Sequence, residues 1–357
     1  MFNIKRDPFL LILALLTVAL IIFHPDTAKI FISFINYKTL SVLIVFMFIT
    51  KAIEFSGYLI WVSDLFIAHA KTERGLAYSI IGFELLISPF ITNDISLFLV
   101  VPLTLALGQR IKIDIEKLII FEIWAANIGS SLLPIGNPQN IYIYQVYDIN
   151  IFTFIFKMIP FGIINISLIF IAIYLFFKKR PVKIKEFVPI AKNKKLWLSS
   201  VSLFAIALIL IELRFYLGAL LITIFTYLVL DKKILYYGIN LNLLLIFILL
   251  FIDIGIIKRI EVVETFLSGL KNIYFSSLVF SQIISNVPSA ILFSGYTKSY
   301  IPLLYGVNVA GNGTLISSLA NLIGVRLGGV NIKRFHLYSL PFLAISTLIT
   351  YIYVRGL

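Results

Sequence analysis

Apolar runs follow one another along almost the whole chain, separated by short polar turns. A bilayer core of about 30 Å takes roughly 20 helical residues. The runs 9–23, 39–60, 153–177, 196–211, 216–230, 239–256 and 336–354 therefore read as membrane spans. Four further segments depart from that pattern. Segments 117–147 and 303–328 are long enough to cross but carry polar, Gly-containing breaks, "ANIGSSLLPIGNPQN" (126–140) and "VNVAGNGTLISSLAN" (307–321). Segments 76–108 and 271–297 are each interrupted midway, at "FITNDIS" (90–96) and "IISNVPS" (283–289). The arms of 76–108 have about 14 residues, or about 21 Å at 1.5 Å per residue, too short to cross singly and together too long for one ordinary span.

Charge places these segments. Lys71 and Arg74 precede 76–108, and Arg110, Lys112 and Lys117 follow it. Basic residues on both flanks put both in the cytoplasm under the positive-inside rule. Segment 76–108 then enters and returns as a re-entrant hairpin with "TND" at its tip. The same assignment puts the N-terminus inside. It also puts inside the linker 178–195, with Lys178, Lys179, Arg180, Lys183, Lys185, Lys192, Lys194 and Lys195, and the pairs Lys232–Lys233 and Lys333–Arg334.

The breaks form pairs. Asn127 aligns with Asn308, Ile135 with Ile316 and Asn140 with Asn321, and both Asn pairs are thirteen residues apart. Residues 1–177 and 196–357 thus read as two repeats around the basic linker, each ordered span, hairpin, broken span, span. Counting crossings, the first hairpin enters from inside and the second from outside, so the repeats are inverted. The expected fold class is an all-α polytopic membrane protein with two inverted-topology repeats. Inverted repeats with discontinuous helices mark secondary transporters, with substrate near the midplane. Opened backbone survives at membrane depth only if it is buried in protein or lines a cavity.

Composition agrees. The 357 residues are 60% hydrophobic and 13% charged, with mean hydropathy +1.02, against about 25% charged in soluble domains. The net charge of +13 resides in loops between apolar runs, which argues for a lipid surface and against nucleic acid. With no cysteine, disulfides and thiolate chemistry are excluded. No P-loop, HExxH or GxSxG pattern is present, so an enzyme is not expected.

The four blocks together resemble the ion transporter superfamily, which includes arsenite permeases, citrate and divalent-anion transporters and one class of Na⁺/H⁺ antiporters. "NIGSSLLPIGNPQN" resembles that superfamily's "NIGGTATPIGDPPN", "GNGTLISSLAN" its "GNGTLIGASAN", "SNVP" its "DNVP", and "TNDISLFLVVP" the "ANDGAALILTP" of arsenite permeases. The sequence around "GVNVAGNGTLISSLAN" is most similar to prokaryotic citrate-transporter-like anion permeases. The resemblance implies secondary transport of a di- or tricarboxylate or inorganic oxyanion by alternating access across the cytoplasmic membrane, coupled to Na⁺ or H⁺. Arsenite or antimonite efflux and Na⁺/H⁺ antiport are the alternatives it carries, and a homodimer is implied by it alone. The antiporters place Asp where this chain has Thr92, Ser285 and Asn137, which counts against direct Na⁺/H⁺ exchange. Thr92-Asn93 and Ser285-Asn286 are instead similar to the Ser-Asn-Thr tips of sodium-coupled dicarboxylate carriers.

The expected substrate and ion contacts are Thr92, Asn93, Asp94, Asn127, Gly136, Asn137, Asn140, Ser285, Asn286, Asn308, Asn312, Gly313, Thr314 and Asn321. Amides both donate and accept, hydroxyls add ligands, and glycine allows close approach. Ser130, Ser131, Ser317 and Ser318 are further hydroxyl candidates. Asp94, the one acid at a break, is the expected coupling residue, and its counterpart in the second hairpin is Val287. Glu54, Glu84 and Glu122 are expected to be snorkelling or paired, and Arg326 to be a lipid anchor. No resident cofactor and no metal beyond Na⁺ are expected; His24, His69 and His336 do not form a metal site.

Overall fold

A computed structural model describes residues 8–26, 30–62, 70–108, 111, 113–182 and 192–356. Arg110, Lys112, Lys183, Lys185 and His69, and with them the middle of the basic linker, lie outside the described residues. The described part is helical throughout, apart from one isolated bridge between Thr72 and Pro181. It is a polytopic membrane protein. Long apolar helices such as Ile151–Phe176 and Ile332–Arg355 leave many Phe, Ile and Leu side chains exposed, as a lipid-facing surface requires.

Asparagine caps seven of these helices. The side chains of Asn36, Asn137, Asn150, Asn193, Asn240, Asn272 and Asn331 each accept from an amide in the first turn that follows. A first turn leaves backbone N–H groups without intrahelical partners, and a short side-chain acceptor satisfies one of them. Near a bilayer, where water is scarce, the cap matters more. Much of the chain's Asn content is therefore helix punctuation.

The two hairpins are present. The first is Glu73–Ile91 followed by Asn93–Gly108, and the second is Ile273–Ile284 followed by Asn286–Phe293. One expectation changes. The first arm has 19 residues, long and apolar enough to cross a membrane by itself, where about 14 were expected. It starts earlier because Thr72 accepts from the Gly75 amide and caps it at Glu73. Both broken spans are also present, as Ile115–Ser130 with Pro138–Val146 and Tyr300–Ala310 with Leu319–Gly328. The span expected at 239–256 is Leu241–Ile257, after which Glu261–Ser268 bends away by 88°. The helix expected to reach residue 60 ends at Phe55, before Gly57 turns the chain at φ 74°.

Two pairings hold the core. In each half the first hairpin arm packs along the first piece of the broken span. The approach is close at one glycine per pair. A Cβ on Gly129 would fall 2.8 Å from the Leu85 carbonyl oxygen, and one on Gly306 would fall 2.6 Å from that of Tyr274. Between the halves the packing is reciprocal. Asn93–Gly108 lies on Leu319–Gly328, and Asn286–Phe293 lies on Pro138–Val146. Around this core, Lys194–Glu212 and Tyr216–Leu230 pack on Tyr37–Phe55, and Pro8–Phe23 packs on Leu241–Ile257. Arg326, expected to be a lipid anchor, is exposed in the last turn of its helix.

Gly129→Val and Gly306→Val are each expected to lower stability by about 1–3 kcal/mol, because backbone cannot yield as a side chain can. Gly82→Ala, whose Cβ meets no atom within 4 Å, is expected to be neutral or slightly stabilising. Thermal unfolding of the three variants in detergent checks this; a Gly82 variant as unstable as the others would contradict it.

Candidate functional site between the two hairpin tips

The hairpin tips share an unusual backbone. Thr92 has φ 72° and ψ 155°, and Ser285 has φ 77° and ψ 157°. Positive φ is costly for residues with a Cβ, about 1–3 kcal/mol, and here it recurs at matched positions without glycine. The turn lets each return helix start at once, at Asn93 and at Asn286. At the first tip the Thr92 hydroxyl donates to Asp94 Oδ1 at 3.0 Å. The Asn93 amide nitrogen donates to the Gly136 carbonyl at 3.2 Å, fixing the tip to the first break.

Four asparagines staple the breaks to each other. Asn127 Nδ2 donates to Asn321 Oδ1 at 2.8 Å, and Asn308 Nδ2 donates to Asn140 Oδ1 at 2.8 Å. Each bond joins the first piece of one broken span to the second piece of the other. Asn140 also donates to the carbonyls of Ser131 and Leu133, and Asn321 to those of Gly311 and Thr314. These are carbonyls that the breaks set free. The remaining capacity is largely used as well. Asn127 Oδ1 accepts from the Ser318 hydroxyl at 3.0 Å, and Asn308 Oδ1 accepts from Asn137 Nδ2 at 3.1 Å.

The expected site residues thus divide into two layers. Thr92, Asn93, Asp94, Ser285 and Asn286 line cavities. Asn127, Gly136, Asn137, Asn140, Asn308, Asn312, Gly313, Thr314 and Asn321 are not among the residues lining those cavities. Gly136 serves the fold of the break, since a Cβ there would fall 2.1 Å from the Ser130 carbonyl oxygen. Thr314 is tied to the second hairpin: its amide donates to Gln282 Oε1 at 2.8 Å and its hydroxyl to the Gln282 carbonyl at 3.0 Å. Ser130 and Ser131 donate to backbone carbonyls of their own helix, and Ser317 to that of Thr314. Two side chains keep unused capacity while buried: Asn286 Nδ2 and both amide atoms of Asn312 have no partner.

The central cavity, of about 300 Å³, lies between the tips. The starts of four helices border it: Asn93–Asp94, Pro138–Gln139, Asn286–Val287 and Ser318–Leu319. A helix N-terminus carries about half a positive charge, and a nearby anion gains roughly 0.3–1 kcal/mol from each, up to about 2 when partly buried. Ser285 forms no side-chain cap on the Asn286 helix, which leaves that terminus open to a ligand. The opposite wall is apolar, made by Leu243, Ile246, Phe247 and Leu250. Sequence reasoning missed this wall and Gln139. An apolar stretch in a span signals only lipid or core, while the place of Gln139 inside "NPQN" was a usable signal.

Two more cavities flank the central one. A second of about 300 Å³ shares Asp94, Pro138 and Leu243 with it and opens past Lys51 and Glu54, which form an ion pair at 2.9 Å. A third, of about 540 Å³, shares Leu250 and Pro288 and lies between the second hairpin and Glu261–Ser268. Asp94 sits on the boundary between the first two. Asp253, which also escaped the sequence reading, lines the third and accepts from the Thr17 hydroxyl at 2.6 Å.

Comparison with known proteins places the chain among membrane transporters. Residues 2–299 match the citrate transporter family. The chain is 39% identical over 312 residues to an uncharacterized transporter of Methanocaldococcus jannaschii, covering 84% of each chain. It is 33% identical to the inner membrane protein YbiR of Escherichia coli, covering 98% of this chain and 96% of that one. It is also 27% identical to a Dictyostelium discoideum protein named as an arsB transporter, over 41% of this chain and 26% of that one. With helical hairpins and broken spans around a shared cavity and a match across most of its length, the chain belongs to the citrate transporter family of membrane transporters.

Proposed function

We propose that this protein is a secondary active transporter of a small anion, a di- or tricarboxylate or an inorganic oxyanion, working by alternating access in the cytoplasmic membrane. The observation that carries this reading is the convergence of four helix N-termini on one cavity of about 300 Å³. Helix N-termini gathered around one cavity attract negative charge through their dipoles without placing a mobile cation in the membrane. The cavity is small enough for a carboxylate or oxyanion. Asn286, which lines the cavity, keeps an unpartnered Nδ2 donor.

Alternating access follows from the flanking cavities. One reaches the centre beside the first hairpin and the other beside the second. In this reading the two halves are inverted, and the cavities serve opposite faces of the membrane. The reciprocal packing of each return arm on the other half supports that arrangement. The E. coli relative, named as an inner membrane protein, supports the membrane chosen. The basic residues Lys71, Arg74 and Lys117 support a cytoplasmic N-terminus.

Asp94 is the coupling residue. Among the described residues it is the one charged side chain lining the central cavity, and it also lines the first flanking cavity. A proton or Na⁺ on it offsets its negative charge when an anion enters. Arsenite or antimonite efflux is the second reading, favoured by the relative named as an arsB transporter. A Na⁺/H⁺ antiporter is disfavoured because Thr92 and Ser285 supply no acid at the tips.

Purified protein in liposomes, offered citrate, succinate, sulfate, phosphate and arsenite with and without Na⁺ and pH gradients, is expected to move an anion in a gradient-dependent way. Flux of arsenite alone would replace the anion reading, and no flux of any solute would remove both. Asp94→Asn is expected to reduce gradient-driven accumulation at least about tenfold while leaving exchange of substrate for substrate; unchanged accumulation would retire its coupling role. Asn286→Asp is expected to raise the anion KM about tenfold, equivalent to about 1.4 kcal/mol. A lowered KM would mean that the cavity favours cations.

A further inference from the structure

Glu84 and Glu122 are fully buried, with 0% of either side chain's residue exposed. Neither snorkels to an interface. Glu122 Oε1 accepts from the Thr104 hydroxyl at 2.6 Å, while its Oε2 and both oxygens of Glu84 have no hydrogen-bond partner. Glu84 lies on Glu73–Ile91 and Glu122 on Ile115–Ser130, two helices that pack on each other in one of the most closely packed seams of the molecule. A third polar group points into that seam. The Ser88 hydroxyl, one helical turn beyond Glu84, is fully buried, unpartnered and directed at Gly129.

No described cation answers these charges. On the hairpin's own first arm, Glu73 pairs with Lys117, and Arg74 donates to the Phe177 carbonyl. The return arm brings Asp94, at its far end. Ile115–Ser130 brings Glu116, held by Arg334 from Ile332–Arg355, and that helix also carries Lys333 and His336, the latter receiving the Leu315 amide. Tyr37–Phe55 brings Lys51 and Glu54, paired with each other. Arg326 of Leu319–Gly328 and Lys157 of Ile151–Phe176 are exposed.

The second half provides an internal comparison. Counting from the tips, Glu84, Ser88 and Ser96 correspond to Ser277, Ser281 and Ser289, and counting from the aligned Asn residues, Glu122 corresponds to Leu303. There the hydroxyls are satisfied: Ser277 donates to the Tyr274 carbonyl, and Ser281 and Ser289 both donate to that of Ser277. The same packing is therefore built without any acid, so the carboxylates of the first half are not needed to make the hairpin.

We propose that the seam holding Glu84 and Glu122 is a proton-binding site, separate from the central cavity, that keeps a bound proton while the first hairpin is packed on Ile115–Ser130. A carboxylate buried with no counter-charge is far more costly than the neutral acid, so a proton taken up in the seam removes most of that cost. The step is a proton association, carboxylate to carboxylic acid, with no other bond changed. Because the site lies in the hairpin seam and not in the cavity, opening that seam would wet the pair and release the proton. This ties proton occupancy to the hairpin's position, and it holds whatever solute the protein carries.

Infrared difference spectroscopy of the purified protein in lipid tests the proposal without a substrate. Wild type at neutral pH is expected to show a carboxylic-acid C=O band, sensitive to D₂O, that is absent from the Glu84→Gln/Glu122→Gln variant. Identical spectra would overturn the proposal, and so would loss of the wild-type band on adding Na⁺ at constant pH, which would make the site one for a metal cation. Thermal stability gives a second readout. Raising the pH removes a proton that the double variant does not carry, so the wild-type Tm is expected to fall more steeply with pH than that of the double variant; parallel curves would count against the site.

Discussion

Opening a helix inside a membrane frees carbonyl and amide groups that no water can reach, and the structure turns on how those groups are satisfied. Unpaired polar groups there cost several kcal/mol each, and this chain opens two spans. Asn140 and Asn321 take the freed carbonyls of their own breaks. Asn127 and Asn308 then bind these same two amides across the halves. One residue type closes the breaks and joins the two halves. The staples also fix where the helix N-termini point, so the requirement that the backbone be satisfied and the electrostatics of the cavity have a common origin.

The symmetry is in the backbone and not in the charges. Thr92 and Ser285 share an uncommon conformation, and the staples repeat. Asp94, Glu84 and Glu122 nevertheless all belong to the first half, opposite Val287, Ser277 and Leu303. In the proposed mechanism, therefore, the first hairpin carries the ion chemistry and the second supplies a neutral donor, Asn286. A carrier that couples two solutes has reason to separate these roles, because each hairpin can then respond to a different ligand.

Much of this was legible in the chain itself. The alignment of "ANIGSSLLPIGNPQN" with "VNVAGNGTLISSLAN" located both broken spans and all four stapling asparagines, because polar residues in an apolar run have few explanations. The tips were equally plain. What could not be read was partnership: Asn127 meets Asn321 across nearly two hundred residues, and no local pattern carries such a contact. Asn137 carries a double role, capping its own helix and donating to Asn308. The length of the first hairpin arm was misjudged because the cap at Thr72 precedes the apolar run. The positive φ at Thr92 and Ser285 carried no glycine signal, and the apolar wall from Leu243 to Leu250 looks like any other span.

The central claim is that the two tips border one cavity reached from each face in turn. The native chain has no cysteine, so a single Val287→Cys reports on that cavity directly. Its labelling by a membrane-impermeant thiol reagent would be measured in right-side-out and inside-out vesicles. The account predicts labelling in both orientations and a shift in the balance between them when a transported anion is added. A thiol that reacts from one face only, with or without the anion, would contradict it.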